Sequence, residues 1–191
     1  MRKLIAGMKI SVDGKIDGPT GVADWVAAWS DDYGLTPQVD ACVLGSGMYA
    51  GYEAYWTAIR DAPDRPVWED GNPPTPAEIA WANFAADTPH YVLSRSLDHA
   101  TWPSTRFIRS IDDIAALKRE AGKDIYLVGG GQTIAAAVEA RLLDELRLIV
   151  YPLVAGEGRP LFAANVQRQG MALRDCAGLA DGRVRLIYAL N

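Results

Sequence analysis

The stretch DIYLVGGG, residues 124–131, constrains this chain more than any other. Ile125 through Val128 are apolar at every position, and the run ends on three consecutive glycines. Residues 39–44 (VDACVL) repeat the design and end on Gly45-Ser46-Gly47. Continuous rather than alternating apolarity predicts strands covered on both faces, as in a parallel sheet. A helical pattern follows each glycine-rich turn: residues 48–59 after the first, and 132–143 after the second, where Ile134, Val138 and Leu142 recur four apart. Strand, glycine turn and helix in this order lead to an α/β sheet whose ligands sit at the carboxyl ends of the strands.

The other elements extend the alternation. Residues 4–8 read as a buried strand, and 11–19 as a loop with two Asp/Gly pairs. Asp24 is placed to cap a short helix carrying Trp25, Val26 and Trp29. Helices are expected at 76–86 and at 111–121, the latter ended by Gly122. Strands are expected at 91–93 and 146–154. Residues 171–177 and 183–190 form a hairpin around Asp181-Gly182. The expected fold is a three-layer α/β/α domain spanning 1–191, with a mainly parallel central sheet and an antiparallel C-terminal hairpin. Residues 61–76 hold five prolines and four acids. They read as an insertion rather than a linker, because the same alternation continues beyond them.

Charge and composition narrow the partners. A net charge of −5 with no block of Lys or Arg argues against non-specific binding to nucleic acid or anionic membranes. No apolar stretch approaches the roughly 20 residues needed to span a bilayer, and the N-terminus lacks the apolar region of a signal peptide. Two cysteines, Cys42 and Cys176, make no disulfide framework, and with His90 and His99 they offer no zinc-ligand spacing. A metal-free, cytoplasmic protein is therefore the expectation.

Three turns carry unusual chemistry. Gly45-Ser46-Gly47-Met48-Tyr49-Ala50 fits G-x-G-x-x-[GA]. It follows the second strand, however, and no acid-bearing strand comes about 20 residues later, so a classical dinucleotide unit is disfavoured and a plain tight turn is the other reading. Gly129-Gly130-Gly131-Gln132-Thr133 combines conformational freedom with a helix start, which suits a pyrophosphate; a close strand–helix crossing is its structural alternative. Ser94-Arg95-Ser96 places a guanidinium between two hydroxyls, either as a phosphate site or as a solvated loop. Together the three turns point to NADP, a dinucleotide with an extra 2′-phosphate.

At these residues the chain resembles the dihydrofolate reductase-like superfamily. It is most similar to the reductase (C-terminal) domain of the riboflavin-biosynthesis bifunctional deaminase–reductase and its stand-alone bacterial relatives. The resemblance rests on Ile5-Ala6-Gly7, Ser11-Val12-Asp13-Gly14-Lys15-Ile16, Asp24-Trp25, Leu44 to Tyr49, Tyr91 to Leu97, Val128 to Gly131, Leu143 to Leu146 and Pro152 to Gly158, in the family's order. It implies that Ala6 and Gly7 lie near the nicotinamide carboxamide and Ile16 in a mobile loop over the ring. It implies that Ser46, Gly47 and Met48 meet the cofactor phosphates, that Ser94 and Arg95 hold the 2′-phosphate, and that Val128, Gly129, Gly130, Gly131, Gln132 and Thr133 wrap the pyrophosphate. The family's cis Gly–Gly bond falls at Gly129–Gly130. Where the family usually carries Arg or Lys and then Thr, this chain has Ser46 and Met48.

The activity so implied is an NADPH-dependent oxidoreductase that transfers a hydride to a pyrimidine or pterin-like heterocycle, of the 5-amino-6-ribosylamino-uracil reductase type. True dihydrofolate reduction and a non-catalytic NADP-binding sensor are the alternatives. Asp24 is the leading proton donor or else an N-cap, with Asp31 and Asp32 as further candidates. Trp25 stacks on a flat substrate or sits in the core. Lys15 meets a substrate phosphate or, with Asp13, orders the loop. Trp29, Tyr52, Tyr55 and Trp56 are assigned to core or interface in preference to a pocket. Asp144, Glu145 and Cys42 read as structural. By resemblance the chain is a homodimer.

Overall fold

The computed structural model describes residues 1–29, 33–67, 71–164 and 166–190. Eight strands form one sheet: β1 (Leu4–Ser11), β2 (Val39–Gly45), β3 (His90–Leu93), β4 (Thr105–Ile108), β5 (Asp124–Gly129), β6 (Glu145–Tyr151), β7 (Met171–Gly178) and β8 (Val184–Leu190). Their spatial order is β4-β3-β2-β5-β1-β6-β8-β7. Every pairing from β4 across to β6 is parallel. β8 runs antiparallel to both β6 and β7, so the hairpin forms one edge. Asp181 and Gly182 make its reversal with φ of 65° and 81°.

Alternate side chains of the central strands enter two separate cores. Ile5, Cys42, Leu44 and Tyr126 face one side, where α1 (Ser46–Asp61) and α2 (Pro76–Asp87) pack through Tyr49, Tyr52, Trp56, Trp81 and Ala85. Leu4, Ala6, Ala41, Val43, Ile125 and Leu127 face the other, against Ile114 and Leu117 of α3 (Asp112–Arg119) and Ile134 and Val138 of α4 (Gly131–Glu139). The result is a three-layer α/β/α fold. Burial on both faces is the reason the sequence shows unbroken apolar runs at β2 and β5. Each fully buried Leu or Ile contributes about 1.5–3 kcal/mol.

The structure revises several expected elements. Residues 21–29 form turns rather than a short helix, with Val26 N donating to Ala23 O at 2.9 Å, so Asp24 caps nothing. β4 carried too weak a signal to be read, since its four residues (TRFI) are interrupted by exposed Arg106. α1 starts two residues earlier than expected, at Ser46. α4 ends at Glu139 because Arg141 turns left-handed at φ 55°, while Leu142 N bonds back to Ala137 O. β6 stops at Tyr151, before Pro152, as expected for a residue that cannot donate to the ladder. α3 ends with Glu120 as its C-cap rather than at Gly122. The Gly129–Gly130 bond is trans, and the chain turns there through positive φ at both glycines, 140° and 81°.

Segments far apart in sequence are tied together. Asp13 accepts amide hydrogens from Ala155 and Gly156, both at 2.9 Å. Its pKa is lowered to about 2, first by the Ser11 hydroxyl and then by these amides. Asp17, buried, accepts from Arg159 N at 2.6 Å and pairs with the Arg159 guanidinium. A β-carbon at Gly158, where φ is 115°, would collide with the Asp17 carbonyl oxygen. The expected mobile loop is therefore strapped to residues 153–161. Asp144 joins Leu4 N and Lys118 Nζ, and Glu145 pairs with Arg147; both are structural, as is Cys42, which is fully buried.

His90 opens β3 and is fully buried. Its Nδ1 lies 2.8 Å from Thr88 O and its Nε2 3.3 Å from Tyr52 Oη. The carbonyl requires a proton on Nδ1, which leaves Nε2 as acceptor and the imidazole neutral. Burial lowers its pKa to about 4, against a smaller upward pull from the Thr88 carbonyl and the Glu53 charge. In the unfolded chain the ring protonates near 6.5. The unfolded state therefore binds the proton first as pH falls. The stabilising neutral ring is fully effective above about 6.5 and loses its contribution progressively down to about 4, by roughly 3 kcal/mol. Urea unfolding at several pH values should show a fall in stability between about pH 6.5 and 5 that His90→Asn abolishes. The same fall in both proteins would contradict this assignment.

Candidate active site

β2 and β5 are parallel neighbours, yet α1 leaves toward one face of the sheet and α4 toward the other. Such a divergence opens a crevice at the carboxyl ends of the two strands. Leu44 pairs with Gly129, which sets the two glycine-rich turns side by side. A β-carbon at Gly45 would lie 2.6 Å from Thr133 Oγ1, and one at Gly130 3.9 Å from Met48 Sδ. Gly45 and Gly130 are the N-caps of α1 and α4, and neither helix has a side-chain cap. The first amides of both helices therefore lack intrahelical acceptors, and both positive dipole ends face the crevice. Ile16 touches the same place, its Cδ1 3.2 Å from where a β-carbon of Gly131 would stand.

The turn after β3 stands next in line, because Gly45 pairs with Leu93. It lies about two strand spacings, roughly 10 Å, from the turn after β5. Ser94 is buried, and its hydroxyl accepts from the amides of Ser96 (3.3 Å) and Leu97 (2.8 Å), so it shapes the turn. Arg95 is exposed and, among the described residues, has no hydrogen bond or ion pair. Arg109 braces the turn by donating to Ser94 O and Leu97 O, both at 2.8 Å. The sequence reading missed Arg109, because β4, which delivers it, was not recognised.

Beyond the glycine turns lies a cavity of about 770 Å³. It occupies the face that carries α1 and α2. Gly7, Met8, Val128 and Met48 line it where it meets the crevice, and Trp29, Tyr33, Tyr52, Tyr55, Trp56, Trp81 and Tyr126 form its walls. The aromatics assigned to the core from sequence do pack in it, and they line this cavity as well. Val67 of the Pro-rich insertion also reaches it. Gly7 is required where it stands, since a β-carbon would lie 2.9 Å from Tyr33 Cε2 and 3.0 Å from Tyr126 Oη. Ala6, one residue earlier, points to the opposite core.

Buried polar groups hold these walls. Arg147 Nη1 donates to Tyr33 O at 2.7 Å. Glu78 closes a capping box with Thr75 at the start of α2 and also accepts from Trp29 N (3.1 Å) and the Tyr55 hydroxyl (2.9 Å). Burial raises its pKa, but these bonds outweigh burial and hold it below the ordinary carboxylate range. Lys9 Nζ donates to Ala28 O at 2.7 Å and lies 5.6 Å from the centroid of the Trp29 ring.

Not every expected residue joins this site. Asp24 and Trp25 line a separate groove with Gly18, Pro19 and residues 153–155, and Asp24 is exposed. Lys15 lies in the strap, its Nζ 3.3 Å from Gly158 O. Asp31 and Asp32 lie outside the described residues. Among the described residues lining the aromatic cavity there is no carboxylate.

Three comparisons place the chain among known proteins. The family model described as the RibD C-terminal domain matches residues 2–182. The uncharacterized protein YyaP of Bacillus subtilis (strain 168) is 28% identical over 195 residues, covering 100% of this chain and 96% of that protein. A putative riboflavin biosynthesis protein from Shewanella sp. PV-4 superposes with a TM-score of 0.71 at 19% identity, covering 99% of each chain. Dihydrofolate reductase from Enterococcus faecalis, solved with NADP(H), gives 0.60 at 15% identity over 99% of this chain and 96% of that one. At these identities the structural likenesses establish the dihydrofolate reductase-like fold.

Glu78→Gln tests the wall architecture. Both carboxylate oxygens accept two hydrogen bonds, so an amide would set its NH₂ against two donors. Loss of these bonds should cost about 2–3 kcal/mol in urea unfolding and red-shift the tryptophan emission as Trp29 loosens. An unchanged midpoint and spectrum would contradict the role.

Proposed function

Because this chain belongs to the RibD C-terminal domain family, we propose that it is an NADPH-dependent reductase acting on a pyrimidine or pterin-like heterocycle. One observation carries the reading: the crevice between the starts of α1 and α4 opens, past Met8 and Met48, onto the aromatic cavity. The donor set suits the cofactor. Two neighbouring helix starts offer free amides to a pyrophosphate, glycines at 129 and 130 leave the backbone approachable, and Arg95 stands unpaired one strand further on. When bound, NADPH supplies the hydride.

The chain's own residues do the rest. The amides of Ser46, Gly47 and Met48 and of Gly131 and Gln132 bind phosphate oxygens, the Thr133 amide being taken by Gly130 O at 2.9 Å, and the Ser46 hydroxyl adds a donor where the family usually has a cation. Arg95 holds the 2′-phosphate, on a turn fixed by Ser94 and Arg109. Ile16 covers the glycine turn, and the Asp13 and Asp17 straps keep it there. The backbone of Ala6 and Gly7, rather than their side chains, faces the nicotinamide. The bare Gly7 wall and the rings of Tyr33 and Tyr126 position a flat acceptor and exclude water. The proton taken up by the substrate does not come from Asp24, which lies in the other groove.

Arg95→Ala should weaken NADPH binding by about 10- to 100-fold and NADH binding by less than about threefold, measured by calorimetry. Equal losses for the two cofactors would contradict the role of Arg95. NADPH oxidation against a panel of aminouracil and dihydropterin substrates then separates a reductase from a sensor, which would bind the cofactor without turnover.

A further inference from the structure

The cavity's chemistry limits what the site accepts. We propose that its substrate is a flat, uncharged, conjugated heterocycle without a phosphate group, held by ring stacking; this rests on the reductase reading above. A volume of about 770 Å³ falls within the ordinary range for small-molecule sites. The walls are aromatic on several sides, with Trp29 and Tyr33 from the chain before β2, Tyr55 and Trp56 from α1, Trp81 from α2 and Tyr126 from β5. Rings so arranged favour a planar π-system, which stacks at little entropic cost.

The same walls disfavour a phosphate monoester, which carries nearly two negative charges at neutral pH. Lys9 is the one cation among the described lining residues, and its ammonium is committed to Ala28 O beside Trp29. The Tyr52 hydroxyl is engaged by Trp81 Nε1 (3.2 Å) and His90 Nε2 (3.3 Å), and the Tyr55 hydroxyl donates to Glu78. Arg95 and Arg109 stand on and beside the turn after β3 and do not line the cavity. Phosphate recognition therefore belongs to the cofactor turns, and ring recognition to the cavity. A dianionic group left in this apolar space would lose its hydration without replacement.

Quenching of tryptophan fluorescence tests this directly, with NADPH affinity measured in parallel. The probes are quinoxaline, 5-amino-6-ribosylamino-uracil and its 5′-phosphate. The expected result is that quinoxaline and the unphosphorylated nucleoside each bind at least about tenfold tighter than the 5′-phosphate. A second variant makes the charge argument independent of the native contacts. Gly51 lines the cavity at its exposed rim on α1, and a β-carbon there meets open space. Gly51→Arg should raise affinity for the 5′-phosphate at least about tenfold, whereas the uncharged Gly51→Leu should not. Both replacements favour the helix, so folding is preserved. Tighter binding of the 5′-phosphate by the natural chain, or no binding of any probe, would overturn the proposal. If NADPH fails to bind while the discrimination persists, the reductase reading falls and the cavity's selectivity stands. If NADPH is oxidised only with the 5′-phosphate, the selectivity falls and the reductase reading stands.

Discussion

Two neighbouring parallel strands that send their helices to opposite faces are the constraint on which this structure depends. β2 and β5 are covered on both sides, so successive residues in their interiors must be apolar, and neither strand can present a polar face. At their carboxyl ends polar backbone remains accessible. There Gly45 and Gly129–Gly130 let the chain depart in opposite directions, and the starts of α1 and α4 are left with unsatisfied amides. A crevice lined by donors is the consequence of packing. The turn after β3 extends it, because β3 is the next parallel strand.

Buried charges fix what surrounds that crevice. Glu78 binds the backbone of one wall residue and the hydroxyl of another, and Arg147 binds the carbonyl of a third. Asp17 and Asp13 strap the loop bearing Ile16 to a segment about 140 residues away in sequence. Buried ionic groups contribute modestly to net stability, because desolvation offsets much of their attraction. Their effect here is positional. They hold loops with few regular hydrogen bonds in one arrangement, and Trp29 and Tyr33 add loop residues to cavity walls otherwise built from α1, α2 and β5.

The parts of this architecture that were legible in the sequence are those that packing dictates. Unbroken apolar runs at β2 and β5 follow from burial on two faces, and glycine turns followed by helical spacing follow from the crossover. The motifs at Asp13 and at Gly156 and Gly158 were visible as separate stretches, but their pairing was not, since no local pattern records a contact across the fold. β4 was too short and too exposed to show a period, and Arg109 was lost with it. Asp24 looked like a helix cap because capping is the commonest use of an Asp before apolar residues. The turn actually formed there places it in the outer groove. Tyr52 and Trp56 do belong to the core, as their helical spacing indicated; that the same rings also border a cavity was not legible, because Trp and Tyr read alike in either setting and the space depends on how α1, α2 and the Trp29–Tyr33 region are arranged.

The central claim is that one crevice holds the dinucleotide and delivers its nicotinamide to the mouth of the aromatic cavity. A crystal structure of the protein soaked with NADP⁺ tests it most directly. The account predicts density for the pyrophosphate between the first amides of α1 and α4, the 2′-phosphate on Arg95, and the nicotinamide beside Gly7 and Met48. A nucleotide whose adenine fills the aromatic cavity, or whose phosphates lie away from both glycine turns, would contradict it.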